Sequence, residues 1–230
     1  MEVGRTMRNG FRRARCLGVA ALAALLASGP GAAHATPVTL PTDAGSRVFD
    51  STQFADGVLA SQLGRLSFTF QGPFPAEFNG LSVAAAILGA DLGNGLAISK
   101  DDSITLGFSR PGPVLALWEA GDLREFGQTF LEASSDAGAT FAPIAVLFEP
   151  NPVTPDPEPS GYQTNFQLLD ATSFGLPAGT PIDALRITLV GGDVAYVHTD
   201  LLAVATVPEP SSLALLALGL LGLRLARRVA

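Results

Sequence analysis

Between residues 36 and 206 the chain alternates apolar and polar residues in short bursts. In LSFTF (Leu66 to Phe70) a period of two puts Leu66, Phe68 and Phe70 on one face, with Ser67 and Thr69 on the other. SITLGF groups Ile104, Leu106 and Phe108 in the same way, and ALRITLV groups Leu185, Ile187 and Leu189 around Arg186 and Thr188. VLALWE, TFLEAS and APIAVLF read as further strands. A helix cannot use this pattern, because its apolar stripe recurs every three to four residues. Gly, Pro, Asp and Asn fall between the bursts, where the chain must reverse. The pattern predicts an all-β fold, a single antiparallel β-sandwich of jelly-roll type. SSDAGATF (Ser134 to Phe141) reads as a hairpin connection in which Gly138 takes a positive φ. LSVAAAIL (Leu81 to Leu88) fits a helix as well as a strand. Thirteen of the fourteen Phe residues lie in the body. They are expected to fill the core, together with Trp118.

The two ends do not belong to this pattern. Arg5, Arg8, Arg12, Arg13 and Arg15 precede the apolar run CLGVAALAALLA, which Gly29, Pro30 and Gly31 interrupt. Ala33 and Ala35 then provide small residues before Thr36. A basic segment, a short apolar core and a small-x-small site predict a secretory signal peptide over 1–35, cut after Ala35 by signal peptidase. The alternative is a retained N-terminal anchor. Starting translation at Met7 instead of Met1 leaves the reading unchanged.

Cleavage there removes Cys16, the single cysteine. The remaining chain has no thiol for a disulfide, a nucleophile or a metal site. Residues 36–206 carry six basic and nineteen acidic side chains, a formal charge of −13. Such a body repels phosphate backbones, so a nucleic-acid partner is excluded.

At the C-terminus LALLALGLLGL follows Ser212, with no charge until Arg224, Arg227 and Arg228. A helix over this run would be about 20 Å long at about 1.5 Å per residue. The bilayer core is about 30 Å, and Arg224 snorkelling with the following Ala and Val helps cover the difference. Apolar residues occupy every side of the run, which predicts a transmembrane helix instead of an amphipathic one. The Arg cluster would hold its end in the cytoplasm. Pro208 and Pro210 keep the residues before it extended.

Val207, Pro208, Glu209, Pro210 and Ser211, followed by the apolar span and the Arg cluster, resemble the PEP-CTERM sorting tail. That resemblance implies recognition by an exosortase, an exopolysaccharide-producing Gram-negative host, and a sorting tail over 207–230. A second Pro-Glu-Pro-Ser, at Pro157 to Ser160, lies in the Pro-rich stretch EPNPVTPDPEPSG with no apolar span behind it. It reads as a stiff surface loop of polyproline type. Within the body, LGADLGNGLAISKDDSITLGF, VLALWEAGD, FLEASSDAGATF and DALRITLV…HTDLLAVATV follow in an order that resembles discoidin-like, galactose-binding-like β-sandwiches.

Candidate chemistry is sparse. His198 is the one histidine left after cleavage, and no G-x-S-x-G motif accompanies it, so a triad is not indicated. It is expected to hydrogen-bond near a strand end. Glu119 with Glu125, or Asp101 with Asp102, would be the carboxylate pairs for glycoside hydrolysis, but they are expected to be solvated turn carboxylates. Asp91, Asn94, Asp101 and Asp102, with Asp193 and Asp200, offer oxygen ligands for a structural Ca²⁺. No other cofactor is implied. Tyr162 and Tyr196 are the aromatic candidates for sugar stacking.

The expectation is an exported, non-catalytic surface or extracellular-matrix protein associated with exopolysaccharide or biofilm. It begins as a precursor tethered in the inner membrane. The alternatives are a carbohydrate-binding module carried by the same tail, and a glycosidase.

Overall fold

A computed structural model of the chain describes residues 35–71, 80–121, 129–149, 151–153, 163–190 and 198–208. The chain divides between Ala35 and Thr36 into two units, and every described residue except Ala35 belongs to the second. In chain order the strands are β1 (Pro37–Thr42), β2 (Gly45–Asp50), β3 (Gly57–Gln62), β4 (Phe68–Gln71), β5 (Asn94–Ser99) and β6 (Ser103–Gly112). They continue with β7 (Val114–Gly121), β8 (Thr129–Ser134), β9 (Val146–Leu147), β10 (Asn151–Pro152), β11 (Gln163–Asp170), β12 (Ile182–Leu189) and β13 (His198–Val207).

Every pairing is antiparallel. One sheet runs β10-β11-β7-β13-β5-β4, the facing sheet runs β3-β6-β12-β8-β9, and β1 and β2 form a separate hairpin. The predicted β-sandwich is therefore the observed fold. Its inner core joins the two sheets: Leu115, Leu117, Leu96, Ile98 and Val204 from the first meet Ile104, Leu106, Leu131, Leu185 and Ile187 from the second.

A second apolar cluster lies on the other face of the six-stranded sheet. Trp118, Phe166 and Phe70 sit there among Ala97, Ala116, Ala203 and Ala205, under Leu40 and Phe49 of the hairpin and under Phe54. The small alanines leave room for the rings. Trp118 packs edge-on to Phe49 at 5.0 Å and tilted on Phe166 at 5.1 Å, and its indole N–H donates to the Pro41 carbonyl at 2.8 Å. Covering both faces explains why VLALWE is apolar at odd and even positions alike. The expectation that Trp118 is core is met, though its core is this outer cluster.

β13 changes its alternation once. The register slips between Leu201 and Ala203, so Leu202 is an extra residue, and both Leu202 and Ala203 join the outer cluster. This bulge lets one strand serve two cores without a polar residue on either face between Leu201 and Ala205.

Two expected strands differ. LSFTF begins its strand only at Phe68, because Asp102 holds the preceding turn through the Gly64 N–H at 2.8 Å and the Ser67 hydroxyl at 2.5 Å. Leu66 is left exposed, and Phe68 and Phe70 face the outer cluster. APIAVLF keeps only Val146–Leu147 as strand, at the sheet edge beside β8. Pro143 has no N–H for the ladder, and the segment makes only separated bonds on either side. The ambiguous LSVAAAIL forms a short helix, α1 (Val83–Ile87), capped by the Ser82 hydroxyl accepting from the Ala85 N–H. Ser134 to Phe141 connects antiparallel β8 and β9, with Gly138 at φ +80° as expected.

Candidate functional site

β13 crosses the whole sandwich, and its ten residues span about 33 Å. It therefore defines two poles. Val207 pairs with Val114 at one, the tail pole, while His198 pairs with Ser99 at the other, the far pole.

At the tail pole the strand is locked until its last residue. Thr206 is 1% exposed, and its hydroxyl lies 2.6 Å from the Arg110 carbonyl and 3.2 Å from that of Gln53. Val207 is also buried. A Cβ at Gly112 would come 2.9 Å from the Val207 carbonyl, so only glycine allows the β6–β7 turn to close against the strand end. Pro208, the next residue, is exposed. Glu209, Pro210, Ser211, Arg224, Arg227 and Arg228 lie outside the described residues, as does the expected transmembrane helix. Among the described residues no helix is long and apolar enough to cross a membrane.

The N-terminal side of the body meets the same pole. Thr36 donates its N–H to the Ser51 hydroxyl at 3.1 Å, and the Ser51 N–H returns to the Thr36 carbonyl at 2.9 Å. Ser51–Gln53 is a 3₁₀ turn with a capping box: the Asp50 carboxylate accepts from the Thr52 N–H, and Gln53 accepts from the Asp50 N–H. These bonds from Thr52, backbone first, then hydroxyl, together with Arg110 at 3.1 Å, hold the Asp50 carboxyl below its usual pKa. The predicted cleavage point after Ala35 thus adjoins an ordered strand, and Ala35 itself is exposed.

The far pole holds a group that sequence reasoning placed in solvent. Glu119 is fully buried on β7, opposite Asn165 of β11. It shares the inward side of β7 with Leu115 and Leu117. Its Oε2 accepts from the Asn165 amide at 2.9 Å, and the same amide nitrogen lies 3.1 Å from the Gly121 carbonyl and 3.4 Å from that of Gln163. One NH₂ with two hydrogens therefore serves three acceptors. Asn165 Oδ1 is buried with no hydrogen-bond partner. Nearby, the Thr129 and Thr199 hydroxyls bond across the two sheets. A solvated turn carboxylate is the wrong description of Glu119. The clue was available, since period two in VLALWE puts position 119 on the side of Leu115 and Leu117.

Other candidates are kept apart. Asp91 and Asn94 stand at the start of β5, and Asp101 and Asp102 just beyond its end, so about 20 Å of strand separates the pairs. Asp91 binds the Gly93 N–H and the Asn94 amide, while Asp102 holds the Gly64 turn. Asp91 and Asn94 are thus not assembled into one site with Asp101 and Asp102. Among the described residues no three His, Cys, Asp or Glu side chains are placed to hold a metal ion. Asp200 is buried on β13, opposite Ala97, and Asp193 lies outside the described residues. His198 opens β13 with its ring edge-on to Phe68 at 5.4 Å, a strand-end position as expected.

Glu125, Tyr162, Tyr196 and the Pro157–Ser160 copy of the motif are outside the described residues. The described neighbours of the two tyrosines, Gln163 and His198, both begin their strands at the far pole.

Residues 206–228 match the PEP-CTERM protein-sorting motif. The match overlaps β13 at Thr206 and Val207. No curated protein matches the chain. Among solved structures, it is similar to the carbohydrate-binding module CBM6cm-2 from Cellvibrio mixtus lichenase 5A in complex with cellotriose, at 11% identity and a TM-score of 0.28, covering 65% of this chain and 96% of that one. It is also similar to the catalytic domain of a GH87 α-1,3-glucanase in complex with tetrasaccharides, at 14% identity and a TM-score of 0.32 over 69% of this chain. The chain spans 29% of the length of that glucanase structure. The chain is a β-sandwich that ends in a PEP-CTERM sorting motif, which implies an exported protein held transiently in the membrane for exosortase processing.

Proposed function

We propose that this chain is a secreted, non-catalytic surface or extracellular-matrix protein of a Gram-negative bacterium, associated with its exopolysaccharide or biofilm. The signal segment is cut after Ala35. The apolar helix then tethers the folded body to the inner membrane, oriented by Arg224, Arg227 and Arg228, until an exosortase acts within the Val207–Ser211 motif. One observation carries this reading: the sorting motif starts at the residue where the fold stops, with Thr206 and Val207 buried in a central strand and Pro208 exposed. A protease would meet a Pro-containing peptide that leaves a folded strand directly.

The non-catalytic part is supported by the carboxylates. Glu119 is sealed between the sheets, and Asp102 is committed to the Gly64 turn beside Asp101 at φ +65°. With one carboxylate in the core and the other committed to a turn, the described members of the candidate pairs favour a structural role over acid–base work.

The experiment is fractionation of the native host expressing either wild type or a Glu209→Ala, Pro210→Ala variant. Wild type is expected in the medium or matrix, and the variant in the inner-membrane fraction. A variant released like wild type would sink the proposal.

A second reading, a carbohydrate-binding module, draws on Tyr162 and Tyr196, which precede Gln163 and His198 in the sequence; those two described residues begin their strands at the far pole. Retention of wild type on the host polysaccharide, lost in Tyr162→Ala and Tyr196→Ala, would favour it.

A further inference from the structure

We infer that the folded precursor stands on the membrane at its tail pole, with the surface around Thr36, Ser51–Gln53 and Pro208 toward the lipid headgroups and the far pole turned outward. The inference rests on the sorting reading above and adds which surface of the body faces the bilayer.

The argument starts from the two points where the chain leaves the fold. Thr36 and Ser51 exchange two hydrogen bonds, and Gln53, two residues on, accepts from Thr206. Phe54 then bridges to Ala205, and the Ala55 N–H donates to the Val204 carbonyl at 2.9 Å. Through this 3₁₀ turn a short run of hydrogen bonds links Thr36 to Thr206, so both stand at the same pole. Each is next to a segment that the sequence assigns to the membrane. Both attachments can therefore exist at once on a folded body, and folding does not have to wait for removal of the signal.

Tether length narrows the geometry. Only Glu209 to Ser212 separate Pro208 from the apolar run, at most about 14 Å of extended chain. The body is about 33 Å tall along β13. Its formal charge of −13 opposes lying flat on anionic lipid. An upright body limits the charge within the screening length of about 8 Å at physiological salt to that of the tail pole, where Arg110 pairs with Asp50 at 3.1 Å. Whatever the far pole binds is then presented away from the cell.

The absence of cysteine from residue 36 onward gives a clean test. In full-length chain carrying Cys16→Ser, single cysteines are introduced by Ala178→Cys or Leu66→Cys. Ala178 lies in the exposed connection before β12 at the tail pole, and Leu66 is 58% exposed at the far pole. Both are labelled with a fluorophore and reconstituted in phosphatidylethanolamine–phosphatidylglycerol vesicles that contain a headgroup quencher. Strong quenching at 178 with little at 66 is the expected result. Equal quenching at the two sites, or stronger quenching at 66, in vesicle-bound protein overturns the orientation and leaves the sorting reading intact. Protein that fails to float with the vesicles overturns the membrane tail and, with it, this inference.

Discussion

The two poles of the sandwich treat buried polar groups in opposite ways. At the tail pole the Thr206 hydroxyl reaches the carbonyls of Arg110 and Gln53, and the chain then leaves the fold at once. At the far pole a carboxylate is enclosed between the sheets, and the Asn165 amide that donates to it is shared with two carbonyls. The first pole is finished, as suits a place where the fold must end sharply. The second crowds three acceptors around one amide nitrogen and leaves the Asn165 Oδ1 buried with no hydrogen-bond partner. Such a buried polar group is retained at a cost in stability.

The largest expected effect breaks the far pole. Asn165→Asp replaces an amide that donates to Glu119 with a second acid. Two enclosed carboxylates cannot both ionise, so one is held protonated with its folded pKa raised. Stability is then lost as pH rises through that raised value. Near neutral pH the loss should be about 3–5 kcal/mol, the usual cost of an uncompensated buried charge, and urea unfolding at pH 5 and pH 8 would show it growing with pH. A smaller effect is expected from Gly112→Val at the tail pole. Its Cβ meets the Val207 backbone carbonyl, and a forced backbone shift of this kind costs about 1–3 kcal/mol. The same denaturation experiment should give a loss in that range. Smaller again is Thr206→Val, which keeps the shape and loses the hydroxyl, for about 1 kcal/mol. If this change equals or exceeds Asn165→Asp, the contrast between the poles is wrong.

The smallest effect concerns an exposed carboxylate at the tail pole. Asp136 accepts from the Thr140 hydroxyl at 2.5 Å, the Thr140 N–H at 2.8 Å and the Ser134 hydroxyl at 2.8 Å. These bonds, the Thr140 hydroxyl first, lower its pKa to about 2 from 3.8. Because the folded value is depressed, its contribution is complete above the unfolded pKa and fades as pH falls from about 4 toward 2. An NMR titration should place the Asp136 midpoint near 2, and Thr140→Val should move it back toward 3.8. Asp170 is held down in a similar way, by the Thr172 hydroxyl first and then the Ser173 N–H.

Much of this architecture was legible in the sequence, and the exceptions have physical causes. Period two located β6 and β12 with the right inward residues, because in each the large apolar side chains fall on one face while the other carries small or polar residues. Two-sided burial was harder to read. In β7, Ala116 and Trp118 are as buried as Leu115 and Leu117, and only the aliphatic density of the run hints that a hairpin covers the second face. Leu66 was misplaced because a carboxylate 36 residues away pins the preceding turn. Glu119 was misjudged because acidic residues are usually solvated, while its register said otherwise. The calcium ligands looked clustered along the chain, yet a six-residue strand carries one pair away from the other. The tail was readable from composition and order alone, since an apolar span with a basic end needs no tertiary contacts to be recognised.

The account's central claim is that the fold ends at Val207 and that processing begins there. Intact mass of the protein released by its native host tests this most directly. The predicted species starts at Thr36 and ends at Pro208 or within the next few residues, leaving β13 whole. A released species ending before Val207, or one that keeps the chain through Ala230, would contradict it.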